Sequence, residues 1–204
     1  MDFGRAEELF DKLSEIVDFP LFNNTPRLEL CFTLSITSMQ FAAAVRALCY
    51  QKLLLGASAN LRSQFEALVR SVWALHSASD LQVTKLSAML SHENQQAAKN
   101  IPSVNDMLAE IERVPQLANL MIAFKEFKDS SWVPLNSFVH AGIHAVHWTR
   151  REVPEPLLEQ IFRMSNGLAL LAFQGVGILT GRPGVQTEIM AATACYSSVL
   201  PKSR

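Results

Sequence analysis

The chain has 204 residues, 49% of them hydrophobic and 18% charged, with a formal net charge of −1 at pH 7. This length fits one domain with ample material for a core. The near-zero charge excludes nucleic-acid recognition through a global positive field, so any RNA contact needs a local basic patch. The apolar excess favours an oligomer interface, with a homodimer as the default.

The amino-terminal segment MDFGRAEELFDKL is acidic and amphipathic and lacks the apolar core of a signal peptide. Two apolar stretches, 30–45 and 167–180, are shorter than a membrane span and contain polar residues or glycines, so we interpret them as core helices. The three cysteines have no metal-ligand spacing and are predicted to be reduced and buried. These features together predict a cytoplasmic protein without a membrane span.

Helical periodicity runs through the chain, and no alternating pattern is long enough to predict a strand. The sequence predicts an all-α, single-domain bundle of about seven to nine helices over residues 1–204. Its core is expected at about 25–180, with the segments 1–20 and 184–204 peripheral. Turn and capping residues divide the chain into predicted helices at about 4–17, 26–54, 58–77, 80–99, 103–113, 115–128, 135–147, 156–180 and 184–196.

The predicted helix 58–77 carries a charged stripe, because Arg62, Glu66 and Arg70 are spaced four residues apart. If this stripe is exposed, it is a solvated ladder of salt bridges. Trp73 falls within the same stripe, however, and an aromatic side chain there indicates that another element covers it. A covered ladder is costly unless it is well paired, and this makes it a candidate binding site for an anion.

His76 follows Arg70 by six residues and lies on the apolar side of the same predicted helix. A lone histidine in that position is commonly a core residue with satisfied hydrogen bonds. An arginine followed by a polar residue, four more residues and a histidine also resembles the RNase motif of the HEPN superfamily, in which the two residues contact the scissile phosphate. Arginine stabilises developing phosphate charge, and histidine moves a proton near neutral pH.

A second polar group lies in the segment LNSFVHAGIHAVH, where Asn136, His140, His144 and His147 would share one side of a continuous helix. Histidines four residues apart are able to chelate a transition metal, but no carboxylate lies on that side and the HExxH pattern is absent. We therefore predict no metal site and no cofactor. The alternatives are a polar strip that faces the Arg62–Glu66–Arg70 stripe and an exposed histidine cluster.

Taken together, LRSQFEALVRSVWALHSASD and LNSFVHAGIHAVH resemble a group of uncharacterised bacterial helical proteins, some of which are grouped with HEPN-like (higher eukaryote and prokaryote nucleotide-binding) and abortive-infection proteins. The resemblance covers about residues 25–180. It implies an all-helical dimer, metal-independent cleavage of RNA and a role as a toxin or in phage defence. In this chain the arginine and histidine of the motif lie in the middle of an early helix, whereas the family motif usually opens a late one. The positions that carry the resemblance are Arg62, Glu66, Arg70, Trp73, His140, Ala141 and Gly142.

Two hypotheses follow from these residues. In the first, the protein is an endoribonuclease in which Arg70, His76 and His140 are catalytic. The anion or ligand is then bound by Arg62, Glu66, Asn136 and His144. In the second, the protein is a non-enzymatic, dimeric interaction module in which the same cluster is structural or binds an anionic ligand or a partner protein. Both hypotheses require the stripe and the histidine segment to lie against each other.

Overall fold

The computed structural model describes residues 1–202, without the side chains of residues 97 and 98. Within these residues it has ten α-helices, two short 3₁₀ turns and no strand, which confirms the all-α prediction. The α-helices are α1 (Phe3–Val17), α2 (Pro26–Tyr50), α3 (Leu54–His76), α4 (Asp80–Ser87), α5 (His92–Ala98), α6 (Val104–Ile111), α7 (Ala118–Val139), α8 (Ile143–Thr149), α9 (Glu155–Leu179) and α10 (Val185–Thr193).

The helix boundaries follow local capping chemistry. The Thr25 hydroxyl accepts the Leu28 amide at the start of α2, and Ser103 forms a reciprocal capping box with Asp106 at the start of α6, as predicted. Ser79, rather than the expected Asp80, caps α4. The predicted helix 80–99 is two helices, because the backbone is extended at Ala88 and Ser91 caps α5.

The centre of the bundle is formed by α2, α3 and α9. A short turn joins α2 to α3, so the two helices run antiparallel and pack along most of their length. Gln64 of α3 is fully buried; its amide donates to the Ser165 carbonyl (2.8 Å) and accepts from the Ser165 hydroxyl (2.6 Å) on α9. Ser38 of α2 donates to the Gln64 carbonyl at 3.0 Å. These bonds fix the three helices in one register, because a slip would leave buried polar groups unpaired.

The terminal segments, which we expected at the periphery, contribute to the same core. On α1, Leu9 and Leu13 are fully buried, and Phe10 stacks on Phe173 of α9 with ring centroids 5.8 Å apart. After α10, Val199 is fully buried, and its carbonyl accepts from the buried Asn166 amide. The chain is therefore one packed domain from α1 to the carboxyl-terminal segment.

Two helices, α2 and α9, are long and apolar enough to cross a membrane by length and composition alone. Their most apolar windows have a mean hydropathy of 1.4 and 1.2, and 33% and 56% of these windows are buried within the domain. The core helices of globular proteins pass the same test. The lower buried share of α2 shows that much of its apolar surface is not covered by this chain.

Candidate functional site

The charged stripe lies on α3, where the hydrophobic side of the helix anchors it to the core. Leu61, Phe65 and Leu68 are buried with at most 2% of their surface exposed. Arg62, Glu66 and Arg70 are half-buried on the adjacent side of the helix. The stripe is therefore neither a solvated surface nor sealed within the core, and its side chains remain within reach of a ligand.

Trp73 is fully buried, as the prediction of a covering element requires. Its indole N–H donates to Glu110 Oε2 of α6 at 2.6 Å. The end of the stripe beyond Arg70 is thus closed by α6, whereas the end at Arg62 adjoins α7.

The histidine segment differs from the prediction of a continuous helix over 135–147. Helix α7 runs through Pro134 without interruption and ends at Val139; α8 starts only at Ile143. Proline removes one backbone hydrogen bond and commonly ends or kinks a helix, but packing of Phe127 and Leu135 on the core keeps this one continuous. His140 therefore caps α7, and it does not share a helical side with His144 and His147.

The turn between α7 and α8 positions His140. Ala141 has a φ of 51°, a left-handed conformation that is unfavourable for a residue with a β-carbon. The Gly142 amide donates to the Ser137 carbonyl at 2.7 Å, and the His144 amide donates to the Ser137 hydroxyl at 3.0 Å. Two hydrogen bonds to one serine thus hold a strained turn, and backbone strain of this kind is found preferentially at functional sites.

At this turn, α3 meets α7. The Arg62 Nε donates to Glu66 Oε1 at 2.9 Å, and Nη1 lies 3.3 Å from His140 Nε2. The guanidinium lies over the Trp132 ring, 5.2 Å from its centroid. We define Arg62, Glu66, Trp132 and His140 as the Arg62 cluster.

The Arg62 contact bears on the chemistry open to His140. A guanidinium only donates hydrogen bonds, so in this contact Nε2 is the acceptor. An imidazole nitrogen that accepts a hydrogen bond is also able to take a proton from a substrate. The Arg62 side chain is 19% exposed, and no hydrogen bond from its Nη2 is found within residues 1–202.

The other candidate residues lie outside this cluster. Arg70 lies two helical turns further along α3, about 12 Å at 1.5 Å per residue, so it is Arg62 and not Arg70 that contacts His140. His76 is the last residue of α3 and is exposed, and six residues of helix place it about 120° around the helix axis from Arg70. Partial burial lowers the pKa of His76.

Asn136 and His144 are half-buried beside the turn, and each has a buried polar atom, Asn136 Oδ1 and His144 Nδ1, without a hydrogen-bond partner. His147 is exposed on α8, where its ring packs against Trp148 and lies 3.4 Å from Arg151. The predicted polar strip is therefore divided between the end of α7 and α8. Of its four side chains, only His140 is within hydrogen-bond distance of an α3 side chain in residues 1–202.

Trp132 is the member of the cluster that the sequence reasoning missed. Its ring packs on Phe65 of α3 at a centroid distance of 5.9 Å, and this contact places it beneath the Arg62 guanidinium. The sequence does contain a signal for this role, because Trp132 precedes His140 by about two helical turns. We predicted that the helix ends before Pro134, so Trp132 and His140 were not expected to lie on one helix.

The three cysteines lie outside the Arg62 cluster and differ in burial. Burial raises the pKa of Cys31 and of Cys49 to about 12, so both thiols stay protonated. Cys195 is exposed, which corrects the expectation that all three cysteines are buried. Within residues 1–202, no group of three or more His, Cys, Asp or Glu side chains is arranged to hold a metal ion.

Comparison with known proteins assigns the chain to a family. No curated protein and no solved structure matches it. A family model described as "Family of unknown function (DUF6988)" matches residues 35–202, which include all of α3 to α10 and thus the whole Arg62 cluster. The chain therefore belongs to the DUF6988 family.

Proposed function

We propose that the Arg62 cluster binds a phosphate group of RNA and that the protein is a metal-independent endoribonuclease. The observation that carries this proposal is the contact between Arg62 and His140. A carboxylate and an indole hold the arginine, and a turn with a left-handed residue positions the histidine. A rigidly held guanidinium is suited to phosphate recognition. The resemblance of the α3 and α7–α8 segments to HEPN-like proteins supports the same class of chemistry, and with it we propose a role in phage defence or as a toxin.

In this mechanism a phosphate oxygen takes the place of His140 Nε2 at Arg62 Nη1, which frees Nε2 of the imidazole. His140 then removes the proton from the ribose 2′-hydroxyl, and the 2′-oxygen attacks the phosphorus while the bond to the 5′-oxygen breaks. The leaving 5′-oxygen takes up a proton from water, and the hydroxide that remains takes the proton from His140. The products are a 2′,3′-cyclic phosphate and a 5′-hydroxyl end. Arg62 stabilises the charge that develops on the phosphate, and Glu66 keeps the guanidinium in place.

Cleavage of a labelled RNA in the presence of EDTA tests the proposal. His140→Asn removes the base and Arg62→Lys keeps the charge but loses the planar guanidinium, so each is expected to lower the rate at least about 100-fold. Arg163→Lys is the matched control, because Arg163 forms a similar pair with Glu159 four residues away (2.7 Å) but contacts no described histidine. Wild-type rates in both cluster variants would contradict the proposal.

The second candidate function is non-enzymatic. In this function the chain is a cytoplasmic interaction module that associates with a second copy of itself. The favouring observation is that Arg62 and Glu66 are only 19% and 26% exposed and neutralise each other, as in a structural ion pair. This function predicts no RNA cleavage by the wild type. It also predicts a lower melting temperature or loss of association in Arg62→Ala, because the Glu66 carboxylate loses its partner.

A further inference from the structure

The outer side of α2 has no charged side chain over sixteen consecutive residues, from Leu30 to Val45. The inner side of the helix packs on the domain through Cys31, Ser38 and Val45, which are at most 1% exposed. The opposite side includes Gln40, Ala43 and Ala47, all exposed. A solvent-facing helix surface usually carries charged residues, so an uncharged one over four turns indicates that something covers it.

The two ends of this side carry large aromatic residues. Phe32 and Tyr50 are 37% and 68% exposed, and they lie nine residues before and nine residues after Phe41. Eighteen residues correspond to five full turns, so both side chains project in the same direction. Between them this side carries Ile36, Gln40, Ala43 and Ala47, of which the two alanines are small.

Charges of opposite sign flank the aromatic residues. Glu29, exposed in the first turn of α2, precedes Gln40 by eleven residues, and Lys52, exposed just after the helix, follows Gln40 by twelve. Neither side chain forms an ion pair within residues 1–202. The aromatic pair and the charged pair are therefore centred on nearly the same point of the helix.

We propose that a second copy of the chain covers this side, with the two α2 helices antiparallel about a two-fold axis at Gln40–Phe41. Such an axis places Phe32 against the partner copy's Tyr50 and Glu29 beside its Lys52, each pair occurring twice. Interfaces with two-fold symmetry are self-complementary in this way. The small residues at the centre allow the helices to approach closely.

Helix α2 is long enough to form an interface with a second copy of the chain. Twenty-five residues of helix extend about 37 Å, and a stable interface buries roughly 800 Å² of each partner, which one long helix with its flanking aromatic residues is able to supply. A lipid surface fits less well. Helices that lie on membranes combine an apolar side with a polar side rich in Lys or Arg, whereas the other side of α2 is buried against α3 and α9.

Sedimentation velocity of the full chain tests the proposal. The wild type is expected to sediment as a species of twice 22.7 kDa at micromolar concentration. Ala43→Glu places two carboxylates at the centre of the pairing and is expected to weaken dimerisation at least tenfold. Ala109→Glu, at an exposed alanine of α6, is the matched control and should remain dimeric. Circular dichroism verifies that each variant keeps its helix content.

A charge exchange distinguishes antiparallel pairing of α2 from any other dimer. Glu29→Lys and Lys52→Glu should each weaken the dimer, because each brings like charges together at both ends, and the double variant should restore it. A monomeric wild type, an unaffected Ala43→Glu dimer, or a double variant no better than either single one would overturn the proposal. Flotation of a monomeric wild type with vesicles of anionic lipid would assign the surface to a membrane instead.

Discussion

Ala141 and Gly142 form the turn that presents His140 to Arg62, and each is conformationally demanding for a different reason. Ala141 adopts a left-handed backbone in spite of its β-carbon. Gly142 has an ordinary φ, but a β-carbon there would lie 2.6 Å from the Ser137 hydroxyl oxygen and 3.3 Å from the Ser137 Cα. The turn is therefore limited by backbone conformation at one residue and by space at the next.

Substitutions at Ala141 and at Gly142 should therefore change the free energy of unfolding in opposite directions. Ala141→Gly relieves the left-handed strain and is expected to raise the free energy of unfolding by roughly 0.5 kcal/mol, after the greater entropy of glycine in the unfolded chain is subtracted. Gly142→Ala is expected to lower it by about 1–3 kcal/mol, because the new methyl group displaces Ser137. Urea denaturation measures both changes.

Gly4→Ala in α1 is the control for the loss of a glycine, since no atom lies within 4 Å of the added β-carbon. It should leave stability unchanged or raise it slightly. If Gly142→Ala is as stable as Gly4→Ala, the close approach at Ser137 does not constrain the turn.

At the scale of elements, α6 is held on α3 by the hydrogen bond from Trp73 to Glu110. Trp73→Phe keeps most of the buried ring but removes the indole N–H, so it leaves the half-buried Glu110 carboxylate without this donor. We expect a loss of about 1–2 kcal/mol in the free energy of unfolding, measured in urea.

Trp148→Phe is the comparison, because the Trp148 indole N–H forms no hydrogen bond within residues 1–202 and its ring is only half-buried. Its effect should be smaller. If Trp73→Phe costs less in a Glu110→Ala background than in the wild type, the pair is coupled as described; equal costs in both backgrounds would show that the hydrogen bond contributes nothing.

The α7–α8 region shows what a single sequence can and cannot specify. The polar residues of α3 were predictable, because Arg62, Glu66 and Arg70 follow helical spacing and α3 is a regular helix. The break at His140–Gly142 was not, because Pro134 is a stronger local signal for a helix end than the sequence VHAG. The contact of His140 with Arg62 depends on that break, so its partner could not be identified from helical periodicity.

The same reasoning applies to Trp132. Its role depends on the ring packing on Phe65, which is a contact between residues 67 positions apart in the chain. No local pattern encodes such a distance. The sequence therefore defined the class of fold and the segments that meet, whereas tertiary packing decided which side chains within them touch.

At the scale of the whole molecule, the buried helices explain both the apolar composition and the expected association. Most apolar residues of α3 and α9 are buried in the core, whereas α2 presents an uncharged side to solvent. The Arg62 cluster lies where α3 meets α7, and the two surfaces belong to different helices. The proposed dimerisation through α2 and the proposed chemistry at Arg62 are therefore separable by mutation.

The stability of the domain should also depend on pH through His76. Desolvation lowers the pKa of this histidine in the folded protein below its ordinary value near 6.5. The unfolded chain then binds more protons than the folded one as the pH falls below about 6.5, so His76 contributes stability above that pH that is lost below it. The two buried thiols, with pKa values of about 12, stay protonated throughout this range.

Urea denaturation at pH 8 and pH 5.5 measures this contribution. The wild type is expected to lose more stability between the two values than His76→Gln, in which the side chain does not titrate. The difference should be modest, because the ring is exposed at the end of α3 and solvent screens its charge. If the variant loses as much stability as the wild type on acidification, the partial burial of the His76 ring does not oppose its protonation, and the acid sensitivity of the fold arises from other groups.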